Sequence, residues 1–186
     1  MPEVNDIIDV AEHLLATINR VYAEEGVLLP ARQYYVIGGQ GQTVHDCEQV
    51  TVSWDQAYGG LPANEASIPV TCDGLHTASF VVEVVRQVNT VRSADGSPVA
   101  GAAATNVPGR YGGGVAGTVD APKPEDFMRE AKTQMQDAVL LLRAGLIAGE
   151  ATLGNSSIVD VSAGTPQGNL QAVIMNFTAA LGLDAF

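Results

Sequence analysis

The stretch ASFVVEVVRQVNTV, running from Ala78 to Val91, decides the fold. Phe80, Val82 and Val84 alternate with Val81, Glu83 and Val85, a period of two that belongs to a β-strand. It is the longest run of its kind in the chain and reads as a central strand. Glu83 and Arg86 fall on opposite faces of it, and one of them must find a partner or water, because a buried charge needs pairing. The plain reading is a strand with one wet face. The functional reading places Arg86 at a subunit contact.

On the N-terminal side, Val44 to Trp54 and Gln33 to Ile37 form two shorter β-rich runs. Gln56 to His76, with Gly59, Gly60, Pro62, Pro69 and Gly74, reads as a long exposed connection. Before Pro30 the period changes. Val4, Ile7, Ile8, Ala11, Leu14, Leu15, Ile18, Val21 and Tyr22 recur at three- and four-residue steps, which predicts a helix over Val4 to Glu25 with one buried stripe. Glu3, Asp6, Asp9 and Glu12 crowd its start and Arg20 lies near its end, as the helix dipole prefers, while Gly26 is placed to stop it.

On the C-terminal side, Ser93 to Pro122 holds seven Gly, seven Ala and three Pro, with only Asp95, Arg110 and Asp120 charged. It has no periodicity, and a structureless stretch of this length is usually a functional or a disordered loop. Pro124, Glu125 and Asp126 then start a second helix, in which Phe127, Ala131, Met135, Ala138, Leu142 and Ile147 follow at helical spacing to Gly149. Ile158 to Val161 and Leu170 to Thr178 are strand-like, and Gly164, Pro166 and Gly168 between them suggest a hairpin loop. The order α-β-β-β-α-β-β predicts an α+β fold, two helices on one face of a small, mostly antiparallel sheet, within a single domain spanning residues 1–186.

Composition narrows the function. The chain has 186 residues, 21 acidic against 9 basic, a formal charge of -12, and 46% hydrophobic residues, enough to bury a core. The few basic residues are scattered, which argues against grasping nucleic acid or an anionic membrane. No apolar run approaches the 18 or so residues of a membrane span. The acidic N-terminal stretch is no secretory leader, so synthesis in the cytosol is expected.

Chemical signals are sparse. Gly38-Gly39-Gln40-Gly41 and Arg110-Tyr111-Gly112-Gly113-Gly114 are Gly-rich, yet neither ends in Gly-Lys-Ser/Thr nor runs from strand to helix as a phosphate cradle does. His45 and Cys47, with Cys72 and His76, have the residue types of a zinc site, but their spacings match no usual Cys-x2-Cys knuckle. The two thiols can equally be small buried hydrophobes, or a bond formed in an oxidising exterior. No Gly-x-Ser-x-Gly elbow occurs, and the carboxylate pairs Glu24 with Glu25 and Glu125 with Asp126 lie at helix ends where solvation explains them. No enzymatic activity and no cofactor are expected.

The run Asp46-Cys47-Glu48-Gln49-Val50-Thr51-Val52, a Pro/Gly connection, Cys72, and a long strand ending Glu83-Val84-Val85-Arg86-Gln87-Val88 resembles proteins of the head-to-tail gene cluster of tailed phages infecting actinobacteria. Within that group it is most similar to tail terminators. The resemblance covers about the first 92 residues at motif level and the whole chain in element order, with the Gly/Ala segment before the second helix as a departure. It implies a structural virion protein, assembled in the host cytoplasm, that forms a sixfold ring on the last ring of the tail tube. Such a ring stops tube polymerisation and receives the filled head. The partners implied are further copies of the chain, the tail tube protein and a head-tail connector or stopper, with DNA passing through unbound.

The alternatives are another neck component, such as a head-completion or stopper protein, and a small zinc-binding or hydrolytic domain. Arg86 and the run Arg110, Tyr111, Gly112, Gly113 and Gly114 are the candidate partner contacts.

Overall fold

A computed structural model describes residues 6–37, 48–59, 76–88, 124–150, 157–164 and 170–181. The elements are α1 (Ile7–Glu24), β1 (Gln33–Ile37), β2 (Gln49–Gly59), β3 (His76–Gln87), α2 (Pro124–Gly149), β4 (Ser157–Ala163) and β5 (Leu170–Leu181). Their order is the expected one. They form an α+β fold around one mixed sheet in the order β1-β2-β3-β5-β4, with β3 at its centre. Only β1 and β2 run parallel; the other three pairings are antiparallel. Among the described residues, no helix is long and apolar enough to cross a membrane.

Local chemistry sets the ends of α1. The Asp6 carboxylate accepts from the Asp9 amide at 2.7 Å, satisfying one of the orphan N–H groups of the first turn. Glu25 ends the helix and Gly26 follows at φ +65°, a left-handed conformation that glycine adopts without penalty. Val10, Leu14, Leu15, Ile18, Val21 and Tyr22 are buried, whereas Ile8 points to solvent.

The strands extend beyond the alternating runs. β2 continues past Trp54 to Gly59 because its register against β3 shifts between Trp54 and Gln56. A bulge of this kind inserts a residue and breaks the two-residue period while the strand goes on. The connection expected from Gln56 is therefore strand as far as Gly59, and β3 opens at His76.

The core lies between the two helices and one sheet face. Val50 and Val52 of β2, Phe80, Val82 and Val84 of β3, and Val173, Met175 and Phe177 of β5 pack against α1 and against Leu140, Leu141, Ala144 and Ala148 of α2. Burial of such side chains, at about 1.5–3 kcal/mol each, is the main driving force for this layer. Thr51, Ser53 and Thr77, on the opposite sheet face, are buried as well, so that face is not uniformly wet.

α2 approaches the sheet closely because its small residues allow it. A Cβ on Gly145 would lie 2.7 Å from Val159 Cγ1 and 2.8 Å from Met175 Sδ. Alanine ordinarily improves a helix interior by about 1 kcal/mol over glycine, but overpacking a core costs about 1–3 kcal/mol. Val159 is β-branched and stiff, so the steric effect wins. Gly145→Ala is expected to lower stability by about 1 kcal/mol in urea unfolding, opposite in sign to its effect on an isolated helix.

Candidate assembly interface

The two long faces of α2 are both apolar in part, and they face opposite ways. Leu140, Leu141, Ala144 and Ala148 are buried against the core, together with the polar Glu130 and Asp137 on the same stripe. On the far side Met128, Met135, Val139, Leu142 and Leu146 are 74%, 68%, 64%, 41% and 58% exposed. Steps of seven, four, three and four residues place these five in one row along the helix. The row is about 27 Å long at 1.5 Å per residue. Met135 and Leu142, two members of the spacing that predicts the helix, are therefore not core residues. Lys132 and Arg143, both exposed, flank the row.

Asp137 explains why the buried stripe is partly polar. Its carboxylate accepts a bidentate pair from Arg86, Nε to Oδ2 at 2.6 Å and Nη2 to Oδ1 at 2.9 Å. The Tyr22 hydroxyl donates to Asp137 Oδ1 at 3.1 Å, and Arg86 Nη2 also donates to the Leu28 carbonyl at 3.0 Å. One carboxylate thus ties α1, β3 and α2 together. Arg86, expected at a subunit contact, is held inside the chain: it lies on the helix-facing side of β3, and its side chain is 18% exposed. Glu83 is on the other face, as alternation requires.

Burial lowers the Arg86 pKa, but the hydrogen bonds and charge of Asp137 outweigh it and carry the guanidinium above its ordinary value. Burial, then the Asp137 charge, holds the Tyr22 phenol well above the ordinary tyrosine range. Because the folded-state pKa is raised, this contribution to stability is intact below the unfolded value of 10.0 and is lost as pH rises above it. Tyr22→Phe removes one hydrogen bond to a charged group, so a loss of about 1.5–3 kcal/mol is expected at neutral pH. The variant should also flatten the decline in stability above pH 10.0, which urea titrations at pH 8 to about 11 would record.

At the same end of α1, Arg143 of α2 pairs with Glu25 at 2.5 Å and Glu24 at 3.5 Å. It offsets two acids placed where the helix dipole disfavours them. This pair is exposed and contributes little.

Of the other candidate residues, His45, Cys47, Cys72 and the run Arg110 to Gly114 lie outside the described residues, as does the 93–122 segment. His76 opens β3, paired with Gly59 on one side and Leu181 on the other. Among the described residues no group of three His, Cys, Asp or Glu side chains is placed to hold a metal. Neither a scan of protein-family models nor a search of curated proteins finds a match for this chain.

Proposed function

We propose that this chain is a structural assembly protein of a phage virion, a tail terminator whose copies form a ring on the end of the tail tube and join it to the head. The observation that supports this most is the outward row on α2. A helix whose inner face already builds the core has no folding reason to expose five large apolar side chains in line, and apolar patches of this kind mark contacts with other proteins. The resemblance of the Asp46 to Val52 and Glu83 to Val88 runs to neck proteins supplies the choice of assembly. The charge of -12 fits the same role, because a ring of such subunits around a DNA path repels phosphate and limits sticking. A ring whose acids all lie on its outer surface would remove this reading of the charge.

Mixing the purified chain with purified tail tubes tests the assignment. Electron micrographs should show a disc on one tube end and no further growth when tube protein is added. Binding to DNA-filled heads in preference to tubes would favour the stopper reading, and binding to neither would remove the neck assignment.

A further inference from the structure

A cavity of about 240 Å³ opens between the first half of α2 and the ends of β3 and β5. Its base includes Arg86 and Gln171, which are directly opposite each other in the β3–β5 register. Glu130, Thr133, Gln134 and Asp137 line it from α2, at the spacing of one helix face. The space is large enough for several waters or for one amino-acid side chain with its backbone.

Two polar atoms at this cavity lack what buried polar atoms almost always have. Gln134 Nε2 and Gln171 Oε1 are shielded from solvent and have no hydrogen-bond partner. Gln171 is 6% exposed, so its amide cannot reach bulk water instead. Terminal amide torsions are broad, and both groups can turn toward the cavity at little cost. The charges around them do not favour an ion. Arg86 and Arg129 are outnumbered by Glu48, Glu130 and Asp137, leaving one negative charge in surplus.

An unused neutral donor and an unused neutral acceptor lining one cavity are together the complement of an amide. We propose that the cavity binds a neutral amide group, a side-chain carboxamide or a main-chain peptide unit, carried by another polypeptide. The ligand carbonyl accepts from Gln134 Nε2 and its N–H donates to Gln171 Oε1. That the group arrives on a polypeptide rests on the assembly reading: Arg129, which is exposed and lines the cavity, lies on the same helical turn as Met128 of the exposed row, so a partner seated on the row has only to extend around that turn to enter the cavity.

The test uses the full chain, with the side-chain amide resonances of Gln134 and Gln171 as reporters. Titration with propionamide or with N-acetylglycine methylamide should shift both resonances saturably, and sodium propionate, an anion of the same shape, at least tenfold less. The stronger of the two amide probes identifies side chain or main chain as the source. Gln171→Met, which removes the unpaired acceptor, should melt no lower than the parent chain and lose the response. An equal response to propionate, no response at all, a response kept by Gln171→Met, or a bridging water that propionamide does not displace would each overturn the proposal. Amide shifts in a chain that never forms rings would leave the cavity assignment standing and remove the assembly reading.

Discussion

Asp137→Ala is expected to destabilise the fold by about 3–5 kcal/mol, the range for breaking a buried pair by removing one partner. The loss does not measure the strength of the ion pair. It is the penalty for leaving the Arg86 guanidinium, 18% exposed, without its bidentate partner and with only the more distant Glu48 charge acting on it, and for stripping the Tyr22 hydroxyl of its acceptor. Because Arg86 retains some water and its bond to the Leu28 carbonyl, the lower part of that range applies. Replacing all three partners together by Met, Leu and Phe should be close to neutral, since well-packed apolar residues can match a buried ionic cluster. Urea midpoints of the two variants check this. A loss below about 1 kcal/mol for Asp137→Ala, as for an exposed pair such as Arg129 with Asp126, would contradict the geometry.

Met135→Glu combined with Leu142→Glu is expected to convert the assembled chain to single subunits without unfolding it. Both side chains are exposed, Met135 more than Leu142, and face away from the core, and surface substitutions away from special features usually change stability within about 0.5 kcal/mol. Two carboxylates in the middle of an apolar contact would have to be desolvated without partners, which costs several kcal/mol per charge and exceeds what most contacts of this kind supply. Sedimentation velocity on parent and variant, with circular dichroism as the folding control, reads the result. A parent chain that sediments as a single subunit, or a variant that assembles like the parent, would contradict the proposed role of the row.

The elements were legible in the sequence because hydrophobic periodicity is local. β1 begins and ends where its β-rich run does, and β3 lies at the centre of the sheet as its length and alternation imply. β2 differs from its run, Val44 to Trp54, at both ends: Glu48 lies outside the strand, which opens at Gln49, and the bulge after Trp54 removes the alternation without ending the strand. The inner face of α2 was hidden because Glu130 and Asp137 occupy it, while Met135 and Leu142 supply the helical period from outside.

A pattern search ranks apolar residues above polar ones, and here the polar ones are buried. The signal that was available is pairwise. Arg86 shares a strand face with Val82 and Val84, and Asp137 shares a helix face with Leu141 and Ala144; two opposite charges on two core-facing stripes call for each other. Tyr22, at the end of the α1 stripe, could not be added to them without the fold. Gln134 and Gln171 carried no signal of their own, since their significance comes from the missing partners that packing alone reveals.

Electron microscopy of particles assembled without this chain decides whether it caps a tail tube and joins it to a head, as proposed. Tails of uncontrolled length, with filled heads unattached, are the expected outcome. Normal virions with tails of uniform length would contradict the claim.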